Sequence, residues 1–286
     1  YVVSTAQNDD QSVSNGGAAY VFKRTGSPWN TTPSRLFPSD GSIGASEFFG
    51  SSIEISNDGK FVVVGASRDA SSNGSVFIFA RTAAAGDNTW SQQQKISNPD
   101  VSGSNNYFGE ENQGVSISSD GTYLIVGAYG RASQNGAVFF YKRTVSSWSQ
   151  MGSTQTNPTG ATGDLFGRAV KMSPDGLTAL VHSRDDAGAD DAGAVFVYKR
   201  SGSTWTYTSV VRHNDRTAAD RFGSALAIST DASYFVAGSW ADDDNGTNAG
   251  AVYVYDRDTT HHVTTDLKLQ SNTWHNLTYA YQGEGG

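Results

Sequence analysis

The chain spells nearly the same phrase four times. FGSSIEISNDGKFVVVGAS begins at Phe49, FGEENQGVSISSDGTYLIVGAY at Phe108, FGRAVKMSPDGLTALVHS at Phe166 and FGSALAISTDASYFVAGS at Phe222. The Phe-Gly glycines, Gly50, Gly109, Gly167 and Gly223, lie 59, 58 and 56 residues apart. A second landmark, a glycine and a small residue before an apolar run, occurs five times: GAAYVF from Gly17, GSVFIF from Gly74, GAVFFY from Gly136, GAVFVY from Gly193 and GAVYVY from Gly250. Tryptophan follows it at Trp29, Trp90, Trp148 and Trp205. Self-similarity at a fixed period means that each copy is a unit which buries its faces against its neighbours.

Each copy is expected to form four short strands. The first follows Phe-Gly and alternates, so that Ile53 and Ile55 share a face. Tight turns come next at Asn57-Asp58-Gly59, Ser119-Asp120-Gly121 and Pro174-Asp175-Gly176, because Gly accepts positive φ at little cost. The fourth copy has Asp231-Ala232 there, a departure from turn preference. The second and third strands, such as FVVV and VFIF, are apolar on consecutive residues, which implies cover on both faces. The fourth carries the tryptophan and is polar enough for an outer edge. Helical periodicity is missing. A four-stranded sheet with covered inner strands, repeated about every 57 residues, predicts an all-β fold, a β-propeller of four-stranded blades spanning residues 1–258 with five repeats visible.

Composition removes several classes of function. The 286 residues include no cysteine, which excludes disulfides, thiol nucleophiles and Cys-based zinc sites. A formal charge of −8 repels phosphate backbones, so nucleic acid is not an expected partner. The apolar runs are far too short for a membrane span. Tyr1 opening within a strand, and the closing GEGG, suit a processed product or a fragment of something larger.

Phe-Gly, then Gly65-Ala66 and Gly127-Ala128, then Gly-Ala-Val-x-Val-Tyr, resemble the FG-GAP repeats of integrin α-subunit propellers. Tyr20-Val21-Phe22-Lys23-Arg24 through Trp29 is similar to the bacterial-type variant of that repeat. The resemblance covers roughly residues 1–258 and implies an extracellular or cell-surface adhesion module. Two departures stand out. Ser67, Tyr129, Arg184 and Trp240 occupy the place of the proline of "GAP", and His182-Ser183 replace Gly-Ala in the third copy. The calcium cage that such repeats often carry needs six or more oxygens, too many for the two- or three-residue turns here. Residues 259–286 differ: Trp274-His275-Asn276-Leu277 through Gly283 resembles the start of a laminin-G or concanavalin-like domain. Their alternative role is to supply the strand that the first copy lacks, closing the ring.

No catalytic constellation emerges. His182 alone falls inside a repeat landmark, where a structural role is expected, and His261 and His262 point to opposite faces of a strand. No phosphate loop or nucleophile elbow is present. Polar residues two before the phenylalanine, Glu47, Asn106, Asp164 and Asp220, are expected to accept backbone N–H groups. The expectation is therefore a non-catalytic extracellular structural or adhesion module with no cofactor, binding proteins or glycans within a larger assembly. A polysaccharide-active enzyme, or its accessory propeller, is the alternative.

Binding is expected in the loops after the second strand, at Arg68, Asp69, Arg131, Arg184, Asp185, Asp186, Trp240, Asp242, Asp243 and Asp244, on a net acidic rim. The run from Asp242 to Asn245 is a weak calcium candidate, and Asn30, Asn73, Asn245 and Asn276 lie in glycosylation sequons. On the opposite rim, Lys23-Arg24, Arg81, Lys142-Arg143, Lys199-Arg200 and Arg257 are expected to pair with Asp58, Asp120, Asp175 and Asp231 in a ring of exposed ion pairs.

Overall fold

Nineteen strands, in five antiparallel sheets, make up the computed structural model, which describes residues 1–26, 32–38, 41–82, 88–100, 105–110, 113–160, 163–184, 190–214, 216–244 and 246–256. Blade 1 is β1 (Val2–Ala6), β2 (Ala18–Phe22) and β3 (Ser34–Leu36). Blade 2 is β4 (Phe49–Ile55), β5 (Phe61–Ala66), β6 (Ser75–Arg81) and β7 (Trp90–Ser97). Blade 3 is β8 (Val115–Ile117), β9 (Tyr123–Gly127) and β10 (Ala137–Thr144), with an outer strand broken into β11 (Ser147–Gln150) and β12 (Gln155–Thr156). Blade 4 is β13 (Val170–Met172), β14 (Thr178–Ser183), β15 (Ala194–Ser201) and β16 (Thr204–Val211). Blade 5 is β17 (Phe222–Ile228), β18 (Tyr234–Ser239) and β19 (Ala251–Asp256). The sheets form a β-propeller, as the repeat predicts, and the number of blades, which the repeat leaves open, is five. Among the described residues blade 1 has no counterpart of the strand that follows Phe-Gly elsewhere, and residues 259–286 lie outside the described residues.

The core lies between the blades rather than within them. Four apolar clusters each take side chains from two successive sheets. The phenylalanine of every Phe-Gly pair is almost wholly buried, and it meets the third strand of its own blade edge-on: Phe49 against Phe77, Phe108 against Phe139, and Phe166 against Phe196. Burial of one such ring contributes roughly 1.5–3 kcal/mol.

Blade spacing is set by backbone meeting backbone. A Cβ placed on Gly65 would lie 2.0 Å from the carbonyl oxygen of Gly109 in the next blade, and one on Gly127 would lie 1.9 Å from that of Gly167. Gly136, which opens β10 at φ +79°, stands equally close to blade 4, where an added Cβ would meet the Phe166 oxygen at 2.0 Å. No residue other than glycine fits such approaches.

Side chains bind the inner strands together. Glu54 accepts the Ile117 N–H at 2.7 Å and pairs with Lys171, while Ser116 Oγ accepts the Met172 N–H at 3.0 Å. These contacts occupy edge groups that would otherwise face the channel unpaired. At the turns, Asp58 N donates to Ser119 O, and Ser119 N to Pro174 O, which links three blades in series.

The ring of ion pairs does not form at the positions described. Asp58, Asp120, Asp175 and Asp231 instead accept the hydroxyl of the serine two residues before, Ser56, Ser118, Ser173 and Ser229. Each also accepts a backbone N–H two residues on, so the carboxylate closes its own turn. Only Asp58 also meets a lysine, Lys60 of the same turn, at 3.2 Å. Ala232 holds the position of the turn glycine at φ +55°. The arginines stack instead. Arg81 lies 5.4 Å from the Tyr1 ring, Arg143 4.4 Å from Phe61, and Arg200 3.8 Å from Tyr123, each ring opening the second strand of the preceding blade. A guanidinium over an aromatic face at a partly dry seam contributes about 0.5–2 kcal/mol, more than an exposed ion pair.

Tyr234, the equivalent ring in blade 5, is 50% exposed, and Val252 of β19 and Val2 of blade 1 are also exposed. These side chains lie at the two ends of the series of clusters. Gly250, which opens β19, accordingly has room: the nearest atom to an added Cβ is 3.4 Å away. Gly136→Ala is expected to cost about 3 kcal/mol or more, against about 1–2 kcal/mol for Gly250→Ala, where only the positive φ opposes the change. Denaturant titration of both variants checks this, and equal shifts would remove the argument for backbone-limited spacing.

Candidate functional site

In blades 2 to 5 the residue before each Phe-Gly pair is left-handed without being glycine: Phe48 at φ +56°, Tyr107 at +53°, Leu165 at +51° and Arg221 at +58°. This conformation costs roughly 1–2 kcal/mol at a residue with a Cβ, and such strain tends to collect at functional sites. Three of the four meet the loop after the second strand of their own blade. Arg68 covers Phe48 at 4.2 Å, Tyr107 stacks on Tyr129 at 5.4 Å, and Arg221 covers Trp240 at 4.6 Å. An arc of arginine and aromatic side chains thus follows this rim.

The arc opens into a cavity of about 330 Å³ between blades 4 and 5, lined by Gln113, Arg168, His182, Arg184, Arg221 and Trp240 among others. Its origin lies in the irregular third copy. His182 stands where blades 2, 3 and 5 have Gly65, Gly127 and Gly238, the first two in backbone contact with the next blade. An imidazole prevents that contact: His182 Cδ2 would lie 3.2 Å from a Cβ on Gly223. The two blades part above it. Gln113 braces the gap, its amide taking the N–H of Leu226 at 2.7 Å and donating to its carbonyl at 3.0 Å. Its own backbone carbonyl accepts from Val170 N.

Four buried nitrogens here are unspent. His182 is 1% exposed, and neither ring nitrogen has a hydrogen-bond partner among the described residues. The same holds for the buried Nε atoms of Arg184 and Arg221. Arg184 directs Nη1 to Asp191 at 3.2 Å, and Arg168 lies 6.0 Å from the Tyr129 ring. Burial first, then the charges of Arg168 and Arg184, push the pKa of His182 down to about 3, so the ring is neutral at physiological pH.

The expected binding residues divide. Arg184 and Trp240 come together at the cavity, while Arg68 and Arg131 lie on the same rim in blades 2 and 3. Asp69 is buried against Lys95 at 2.5 Å, and Arg131 pairs with Asp100. Asp242 is buried and accepts the Tyr253 hydroxyl, Asp243 accepts from Thr217, and the Asp244 N–H donates to Asp242. Asp164 and Asp220 are buried as well. The carboxylates Asp69, Asp164, Asp220 and Asp242 turn inward and hold loops. Of the residues two before the phenylalanine, Glu47 and Asp220 accept backbone N–H groups from Gly44 and Thr217. Asn106 donates to Asn73 Oδ1 and to the Asp100 carbonyl, and Asp164 accepts from Asn157. Asn73 is therefore engaged within its loop. Asp185, Asp186, Asn30, Asn245 and Asn276 lie outside the described residues.

Arg168, Arg221, Gln113, Tyr107 and Tyr129 were not singled out from the sequence as binding residues. The signal for two of them was present: arginine directly flanks Phe-Gly only in the third and fourth copies, as FGR at Phe166 and RFG at Arg221.

The fold is a β-propeller, and one rim of it carries an arc of aromatic and arginine side chains. Its repeats match the FG-GAP repeat family over residues 31–79, 90–141 and 205–255, more than half of the chain, and the protein belongs to that family. FG-GAP propellers point to a protein-interaction module. No curated protein matches the sequence. Among solved structures the chain is similar to a suggested 6-phosphogluconolactonase from Bacteroides fragilis (15% identity, TM-score 0.54, covering 89% of this chain and 64% of that one). It is also similar to a functionally unknown protein from Desulfotomaculum acetoxidans (14%, 0.51, 88% and 62%) and to a structure of KlAtg21 with the coiled-coil of AgAtg16 (12%, 0.52, 86% and 65%). The chain spans less than two thirds of each, and at these identities the likeness is one of fold. Among the described residues no helix is long and apolar enough to cross a membrane.

A histidine whose pKa is depressed in the folded state destabilises the fold once the unfolded chain takes up the proton. Stability is therefore expected to fall as pH drops below about 6.5 and to keep falling toward 3. Between pH 6.5 and 4.5, above the ordinary aspartate range, His182→Gln should flatten the decline of melting temperature. Parallel curves for the two proteins would show that His182 does not titrate as a buried group.

Proposed function

We propose that this protein is a non-catalytic recognition module of an extracellular or cell-surface assembly, binding protein or glycan partners through the rim that carries Phe48, Tyr107, Tyr129, Arg184, Arg221 and Trp240. The observation that carries this reading is the strained left-handed residue repeated before each Phe-Gly pair, which holds aromatic and guanidinium groups in one arc. A rigid scaffold presenting such groups favours binding, since Tyr, Trp and Arg dominate interaction energies.

The test is a labelled chain applied to an array of extracellular-matrix proteins and glycans. Binding should appear on a defined subset and fall at least tenfold in Tyr129→Ala/Trp240→Ala, while Lys142→Glu on the opposite rim leaves it unchanged. Loss through Lys142→Glu with the rim variant unaffected, or no binding at all, would overturn the reading.

A further inference from the structure

We propose that the cavity between blades 4 and 5 is a binding site for a carboxylated sugar, a hexuronate unit of an acidic glycan. This rests on the recognition role proposed above and names its ligand class. Three arginines, Arg168, Arg184 and Arg221, converge on one cavity of a chain whose formal charge is −8. Two of them hold buried Nε donors without acceptors among the described residues. A guanidinium offers its donors in a planar fork that matches a carboxylate.

The charge of the site selects among anions. Arg184 already meets Asp191, and Arg221 lies over the Trp240 ring, so part of the positive charge is compensated. A singly charged carboxylate suits the remainder better than a phosphate dianion.

The remaining groups indicate a sugar rather than a bare acid. His182, 1% exposed and neutral, brings one N–H donor and one lone-pair acceptor to the cavity wall, and neither is used within the described residues. A hydroxyl can satisfy both kinds of group, whereas a second carboxylate oxygen can satisfy only the donor. Trp240 is 54% exposed at the cavity and offers an apolar plate for the face of a pyranose ring. A volume of about 330 Å³ falls at the small end of ligand sites, roughly 300–1,000 Å³, which suits a single sugar unit. An aspartate or glutamate side chain would meet the arginines but carries no hydroxyl for the histidine.

Calorimetric titration with tetragalacturonate, its full methyl ester and poly-L-glutamate tests the assignment on the whole chain. Tetragalacturonate should bind, with at least tenfold weaker binding for the ester and for poly-L-glutamate. Arg221→Gln and Arg184→Gln should each weaken it at least tenfold while still unfolding in one cooperative transition, and Lys142→Glu should not alter it. Should an arginine variant fail to fold, the wild-type protein still reports: tetragalacturonate should change tryptophan fluorescence, and Trp240→Phe should abolish that change. Equal binding of the ester, tighter binding of poly-L-glutamate, indifference to both arginine substitutions, or no binding would each overturn the assignment. Rim-dependent binding on the array without tetragalacturonate binding would refute the sugar and leave the recognition role standing.

Discussion

The contact on which this fold depends is one backbone pressed against another. Where Gly65 and Gly127 face the Phe-Gly segment of the following blade, no Cβ fits between them. That approach fixes the distance between sheets near the channel, and the distance decides what fills the space further out. The buried phenylalanines, the tryptophans of the outer strands and the arginines on aromatic rings are all cut to one gap. Phe140 and Trp205 stack at 4.2 Å across it, and Arg200 reaches Tyr123 at 3.8 Å. Glycine here contributes no contact energy of its own, yet it permits all the rest.

Seen this way, His182 is the departure on which the candidate site turns. A side chain at a glycine position would ordinarily be a defect, because it forces neighbouring sheets apart and buries a titratable ring. The fold tolerates it because Gln113 bridges blade 3 to blade 5 and spans the opening with two hydrogen bonds to Leu226. Local rules are commonly broken where function requires it. Around this break both ring nitrogens of His182 and the Nε atoms of Arg184 and Arg221 are buried without partners among the described residues, whereas most buried polar groups in a folded protein are satisfied. The coincidence of the broken repeat with the unspent donors is what distinguishes this seam from the other three.

Much of the architecture was legible from the sequence, for a physical reason. Period, strand type and the Asp-Gly turns depend on local pattern and on the need of each sheet for a neighbour, and both are written in consecutive residues. That the first copy lacks its own Phe-Gly strand was visible in the same way. What could not be read was the destination of long polar side chains. Arg143 and Arg200 were expected to find aspartates, but whether a guanidinium meets a carboxylate or a ring depends on the preceding blade, some 80 residues away for Arg143 and Phe61. The aspartates had a nearer partner in the serine two residues before each of them, a repeated signal in ISNDG, ISSDG, MSPDG and ISTDA. The acidic loops show the same dependence: Asp242 is buried, accepting the Tyr253 hydroxyl and the Asp244 N–H, and so serves the structure of its loop.

Repetition also explains why recognition would settle at one seam rather than at the centre of a blade. A change inside a sheet disturbs two clusters at once, since each sheet packs on both sides. A change at the position before Phe-Gly, or at the former proline of the repeat, alters only what projects above the gap. Leu165, Tyr107, Phe48 and Arg221 share one backbone conformation and differ freely in side chain. The same scaffold can therefore carry an apolar pair on one blade, Tyr107 on Tyr129, and a cationic one two blades on, Arg221 on Trp240, without moving a strand. Net charge is a poor guide to such a surface, because the acidic excess of the whole chain and the arginine cleft between blades 4 and 5 answer to different constraints. The first governs the long-range field. The second depends on which few donors remain unpaired once each loop has satisfied itself.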